Sequence, residues 1–314
     1  TRPGGPGDRH LDHRLHPARD LERAAMTRRI VDAHTHIFPP DVVARRAVYH
    51  SRDAWFSICY ENPNLLLASA DDLVASMDEA GIQASIACGF PWADPGLCRE
   101  HNDWMAEACR AHPGRLAFLA VVAPHVAGAA EEAARAFNLG AVGIGELNAD
   151  AQGFDLTVPD AVGELMTFCK GRNKPVMLHS TEPIGHLYPG KGAATPERLF
   201  VWLSAFPAQP VVLAHWGGGL PFYELMPEVK AVTRNVVYDS AATTYLYDHA
   251  VFSHVVALAG NDRVLFGSDF PILRQDRLTR RLARQIDNDE TLDMIYAKNA
   301  DRVYGLGAGG EGTR

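Results

Sequence analysis

Eight short apolar runs, each followed by a segment of helical character, constrain this chain more than any other feature. They are RIVDAHTH (29–36), IQASIACG (82–89), RLAFLAVV (115–122), AVGIGEL (141–147), PVMLH (175–179), PVVLAH (210–215), NVVYD (235–239) and RVLFGSD (263–269). Runs that are apolar along nearly their whole length suit strands buried on both faces, as in a parallel sheet flanked by helices. The segments between them carry helix punctuation. DDLVASMDEAG (71–81) opens on an Asp cap and stops on Gly81, and TPERLFVWLSAF (195–206) has Pro196 in its first turn. AGAAEEAARAFNLG (127–140) reads the same way. Strand–helix alternation predicts a parallel α/β sheet, and eight units close a barrel. The predicted fold is a single (β/α)8 TIM barrel over residues 27–307, although a doubly wound sheet can also reach eight strands.

The ends of the chain read differently. Residues 1–26 are rich in charge, Gly and Pro and have almost no apolar periodicity, so a disordered tail is expected there. They lack the apolar centre of a secretion signal, and Met26 is a candidate start of translation. His10, His13 and His16 are spaced to touch one metal, but the composition around them reads as a solvated tail. Residues 308–314 are expected to be flexible. A net charge of −8 supplies no basic stripe for nucleic acid, and no apolar run approaches the roughly 20 residues of a membrane span. Five scattered cysteines without a CxxC pair point to reduced thiols and a cytoplasmic location.

Metal-type side chains fall at the carboxyl ends of the predicted strands: His34 and His36 on the first, Glu146 on the fourth, His179 on the fifth, His215 on the sixth and Asp269 on the eighth. In a barrel these ends share one face, where active sites are built. Each residue alone has a plain explanation, a satisfied core histidine or a helix-capping carboxylate. Together they would bury costly ionisable groups for no purpose unless they act as a set. Imidazole nitrogen with carboxylate oxygen suits a divalent cation, with Zn2+ expected first and Mn2+ or Fe2+ as alternatives. Asp32 lies two residues before His34, and so is expected to face the same way as a partner for a ligand histidine; burial in the barrel floor is the competing reading.

The segments VDAHTHIFP, PVMLHSTEP, VVLAHWGGGLPF, VVYDSAA and VLFGSDFPI, with the terminal KNADRVYGL, resemble the amidohydrolase-related family over about residues 29–306. That family includes aminocarboxymuconate-semialdehyde decarboxylase and related aromatic-acid decarboxylases alongside hydrolases. The resemblance implies that His34, His36 and His179 bind metal, that Asp269 is the carboxylate beside the metal and its water, and that His215 is catalytic in members with one ion. Glu146 resembles the strand-four glutamate of binuclear relatives. Two arrangements are therefore open. One ion is held by His34, His36, His179 and Asp269 with Glu146 nearby, or Glu146 bridges two ions and His179 with His215 serve the second.

A divalent ion lowers the pKa of bound water from about 15.7 towards about 7. Asp269 is then expected to move the proton and His215 to polarise the substrate. The leading expectation is a hydrolase of a small C–N or C–O bonded substrate. The first alternative is a non-oxidative decarboxylase of an aromatic or muconate-type acid, and the second is a non-catalytic barrel that binds a ligand. Substrate contacts are sought in the long loops: Arg52 and Trp55 in the stretch 37–70, and His186 and Lys191 after strand five, the basic residues doubling as ordinary surface charges. The glycines of HWGGGLP are expected to turn the backbone beside the metal, and Trp216 to pack at the rim. The expected partner is a small molecule, with a homodimer as the base-rate assembly.

Overall fold

The computed structural model of the chain describes residues 28–309. The expected tail over 1–26, with His10, His13 and His16, lies outside the described residues, as does most of the segment 308–314. A 3-10 turn at Leu306–Gly309 ends the described chain.

The strands are β1 (Val31–His36), β2 (Ala84–Cys88), β3 (Leu116–Ala120), β4 (Gly143–Leu147), β5 (Val176–Leu178), β6 (Val211–Leu213), β7 (Val236–Asp239) and β8 (Val264–Leu265). They pair in that order, parallel throughout. The backbone past β8 closes the ring on β1. Ala33 N donates to Phe266 O at 2.8 Å, Asp269 N donates to His34 O at 2.9 Å, and Thr35 bridges Phe270. The sheet is thus a barrel and not an open, doubly wound one.

Val31, Ala33, Ile86, Leu119, Met177, Val212 and Leu265 fill the lumen. A larger apolar layer joins the outer strand faces to the surrounding helices. The helix expected at 71–81 spans Ala70–Ala80, with Gly81 left-handed at its end. Its cap is Ser69 and not an aspartate: Ser69 and Asp72 satisfy each other's backbone amides in a capping box. The other two expected helices run over Ala129–Asn138 and Pro196–Ala205. Among the described residues no helix is long and apolar enough to cross a membrane.

Two strands slip register by one residue, and both carry site residues. On β1, Val31 and Asp32 pair with Ala84 and Ser85, whereas Thr35 and His36 pair with Ala87 and Cys88. On β4, Ile144 pairs with Val176 but Leu147 with Leu178. An extra residue reverses which side chains face inward, and such slips commonly re-aim side chains near active sites. Ala33 therefore packs in the lumen while its neighbour His34 joins the site. At the second slip Gly145 has φ +134°, and a Cβ there would lie 2.7 Å from Met177 O. Only glycine fits.

The long stretch after β1 folds as three short helices, Pro40–Ala44, Arg46–Arg52 and Ala54–Tyr60. Phe38, Phe56 and Tyr60 pack against Phe90 and Trp92, so this segment is a solid wall of the mouth.

Candidate metal centre

Four donor atoms from β1, β4 and the segment after β8 converge at the mouth. His34 Nε2 and His36 Nε2 are 3.0 Å apart. Asp269 Oδ1 lies 3.4 Å from His36 Nε2 and 3.8 Å from His34 Nε2, and Glu146 Oε2 lies 3.8 Å from both. Metal–ligand bonds of about 2.0–2.2 Å in a tetrahedron put donors roughly 3.3–3.6 Å apart. Two imidazole nitrogens facing each other at 3.0 Å need a proton or a cation between them. The donor set fits a divalent ion.

The other oxygen of Glu146 faces a second pair: His179 Nδ1 at 3.0 Å and His215 Nε2 at 3.3 Å. The donor groupings are His34–His36–Asp269 and His34–Glu146–His215. His179 therefore stands across the Glu146 carboxylate and outside the His34–His36–Asp269 group, unlike the one-ion arrangement that the family resemblance implies. The backbone that carries these residues is tightly shaped. Asp269 is left-handed at φ 68°, and His215 through Gly219 all have positive φ. A Cβ at Gly218 would lie 2.3 Å from Thr181 O, so the β6 and β5 segments approach to a distance that only glycine permits.

Asp239, at the end of β7, organises the centre from behind. Its Oδ2 accepts from His34 Nδ1 at 2.8 Å, which turns the Nε2 lone pair of His34 towards the other donors. Its Oδ1 accepts from the backbone amides of His215 and Ala241 at 2.9 and 3.0 Å. The sequence left Asp32 open between a partner for a ligand histidine and a residue buried in the barrel floor. The structure takes the second: Asp32 is fully buried, and its carboxylate turns to Ser268 N, Gln275 Nε2 and the backbone amide of His34, not to an imidazole. Burial raises its pKa to about 6 against those hydrogen bonds. The rule that found Glu146 and Asp269, a carboxylate ending a strand, applies equally to Asp239 in NVVYD.

The charges in this cluster hold one another in place. Burial opposes a charge on His34, yet Asp239, Glu146 and Asp269 push its pKa up to about 10. Burial likewise opposes a charge on His215, which the Glu146 carboxylate lifts to about 9. Burial would raise Glu146, but the charges of His179 and His34 hold it well below the usual carboxylate range. Asp269, also buried, is brought down to about 2 by the hydrogen bond from His36 and by the surrounding imidazoles. Without a metal, protons on imidazoles balance the carboxylates; a divalent cation supplies the same balance.

The centre opens into a cavity of about 340 Å3 lined by His36, Glu146, His179, His215 and Asp269 on one side and by Trp55, Tyr60, Phe90, Tyr188, Tyr245 and Ile272 among the walls. Trp55 is where the sequence suggested. His186 meets the Tyr245 ring edge-on and lies tilted beside Tyr188 without lining the cavity. Lys191 Nζ donates to the carbonyls of Ile184 and His186, and Arg52 lies over the Tyr49 ring; neither lines the cavity. Trp216 is fully buried and donates to Thr243 Oγ1, so it belongs to the core and not to the rim. Tyr188 lies in the loop after strand five that the sequence pointed to, whereas Tyr245 had no sequence signal beyond its place in a loop.

A closed eight-stranded barrel with imidazoles and carboxylates gathered at its carboxyl face defines the class, a barrel enzyme with a divalent-metal type of centre. The family is shown by sequence: the Amidohydrolase family model matches residues 31–306, and the chain belongs to that family. No curated protein matches the chain. Among solved structures, 5-carboxyvanillate decarboxylase from Sphingomonas paucimobilis is similar at a TM-score of 0.75 and 18% identity, covering 88% of this chain and 99% of that one. The 5-carboxyvanillate decarboxylase of Novosphingobium aromaticivorans, complexed with manganese and 4-hydroxy-3-methoxy-5-nitrobenzoic acid, gives 0.71 and 18% over 89% and 97%. The 2,6-dihydroxybenzoate decarboxylase from Rhizobium gives 0.67 and 20% over 89% and 99%. At such identities the likeness is one of fold.

Proposed function

We propose that this protein is a divalent-metal-dependent, non-oxidative decarboxylase of an aromatic or unsaturated carboxylic acid. The observation that carries this reading is the His34–His36–Asp269 donor group, with Glu146 beside it, at the floor of a cavity with aromatic walls. The fold shared with three decarboxylases, one of them complexed with manganese, supports it over the hydrolase expected first. A cation at the cage would neutralise the substrate carboxylate and acidify water. Two histidines with two carboxylates suit manganese as well as zinc, and the manganese of one similar structure favours manganese.

The residues then divide the work. Asp269, ionised at neutral pH, relays a proton from water at the mouth to the carbon that bears the carboxylate. The C–C bond to the carboxylate breaks, its electron pair stays with that carbon, and CO2 leaves; the balance is R–COO− plus H+ giving R–H plus CO2. His215 Nε2, directed at Glu146 Oε1, holds that carboxylate in place, and Asp239 fixes the orientation of His34. The aromatic walls keep water from the reacting carbon.

The test is a panel of aromatic and muconate-type acids, amides and lactones offered to protein loaded with Mn2+ or Zn2+. CO2 release from acids with no amide or lactone cleavage is the expected outcome. Cleavage without CO2 would return the hydrolase reading, and binding without turnover of any kind would favour a non-catalytic barrel. A second reading concerns ion number. The two oxygens of Glu146 face two separate donor pairs, so a second ion between His179 and His215 is the alternative, which anomalous scattering counts directly.

A further inference from the structure

Beyond the donors of the centre, the cavity is lined mostly by rings and aliphatic groups. Among the described residues no Lys or Arg lines it, and Asn148 is the one side-chain amide that does. Asn148 is the first residue past β4 and is still extended, at φ −125° and ψ 114°. Side chains two apart on an extended chain share a face. Asn148 therefore points to the same side as Glu146, while Leu147 between them packs in the outer apolar layer. At about 3.3 Å of rise per residue, Asn148 stands roughly 6.6 Å further up the wall than Glu146.

Every polar group of Asn148 but one is committed. Its Oδ1 accepts from the backbone amides of Asp150 and Ala151 at 3.1 and 3.0 Å, which caps the short helix Ala149–Gln152. Its backbone amide donates to Gln152 Oε1 at 3.1 Å, and its carbonyl accepts from Gln152 N at 2.9 Å. Gln152 is itself pinned, because its Nε2 donates to the carbonyls of Trp92 and Val122. The two N–H groups at Oδ1 fix which end of the Asn148 amide is which, since only an oxygen can accept them. Nδ2 is thereby turned away from the helix with both of its hydrogens. It has no partner among the described residues, yet it is not closed off from solvent, although Asn148 as a whole is only 4% exposed. The cavity is the space it opens on. A donor held there without a partner wants an acceptor from whatever enters. A substrate carboxylate is balanced better by a cation at the centre, so a neutral N–H higher on the wall suits an uncharged oxygen.

We propose that Asn148 is a specificity-determining residue of this site, and that its Nδ2 donates to a carbonyl or ether oxygen on the part of the substrate that lies away from the ion. The proposal rests on the decarboxylase reading for the orientation of the ligand, carboxylate towards the ion, and adds a second point of recognition to it.

Calorimetric binding to the Mn2+-loaded protein tests it apart from turnover. The probes are 3- and 4-acetylbenzoate, each compared with the isopropylbenzoate of the same position, which matches its shape and lacks the oxygen. At one of the two positions the acetyl compound should bind about tenfold more tightly. Asn148→Ser keeps a capping oxygen and withdraws the N–H, so the ratio should fall to about one through loss of acetyl binding, with the melting temperature unchanged. Asn148→Asp also keeps the cap but puts an acceptor where the donor stood, and the acetyl compound should become the weaker ligand of the pair. No binding by any probe, a ratio near one at both positions in the unaltered protein, or a preference that survives in Asn148→Ser would overturn the proposal. Equal weakening of both ligands in Asn148→Ser would overturn it too, because that is the mark of a cap alone. Probes that bind in the expected ratio while no acid releases CO2 would leave the role of Asn148 standing and strike the decarboxylase reading instead.

Discussion

The lumen and the mouth of this barrel are built by the same strands and obey different physics. On β1, Val31 and Ala33 join the packed lumen, whereas His34 and His36 join the site. On β4 and β5, Gly145 lies against Met177 of the lumen, and one residue further Glu146 reaches four imidazoles. The lumen is held by contact among apolar groups, which is indifferent to pH and to ions. The mouth is held by opposite charges that burial would otherwise forbid. A one-residue slip in each of two strands divides the two regimes, so altering one region should leave the other largely intact.

The largest effect that could break this separation lies at the mouth. Asp269→Asn should lower kcat with the best acid by about 10²–10⁴-fold, the usual contribution of a proton-transferring group. Circular dichroism should stay unchanged, and activity within tenfold of the parent would remove Asp269 from its role. In the lumen, Leu119→Ala should lower unfolding stability by about 2–5 kcal/mol, read by denaturant titration, with activity per folded molecule nearly preserved. If metal affinity fell with it, lumen and mouth would not be independent.

Asp239→Asn should weaken metal binding by about 10–100-fold, measured by competition with a chelator, because the partner behind a ligand histidine tunes its basicity. A smaller effect is expected from pH. His34 and His215 have folded pKa values of about 10 and about 9 against an ordinary 6.5. The metal-free folded state thus binds extra protons, and the stabilisation is complete below pH 6.5 and lost as pH rises through 9 to 10. Asp269 works in the opposite direction: its contribution is present above its ordinary 3.8 and lost as pH falls through about 2. The melting temperature of metal-free protein should fall between pH 6.5 and 10, and metal should flatten that slope by replacing the protons. The smallest change is expected for Arg52→Ala, which should leave KM within about twofold, since exposed side chains distant from a site rarely matter.

The sequence by itself determined the barrel and which imidazoles and carboxylates gather at its carboxyl mouth. Eight apolar runs carry the strand pattern in local composition, and a rule as simple as polar residues at strand carboxyl ends picks out His34, His36, Glu146, His179, His215 and Asp269. Family motifs strengthened those choices without depending on the fold. Local pattern could not reveal which residues touch. The slip in β1 sent Asp32 to Gln275 and left the partner role to Asp239, some 200 residues away in the chain. Arg52 and Lys191 looked suited to a substrate carboxylate, yet the described residues engage them against an aromatic ring and two carbonyls. Register and loop packing are sums over distant contacts, and a single added residue in a strand reverses every inward and outward assignment after it. For that reason only the tertiary structure decided how the donors divide around Glu146 and which walls a substrate meets.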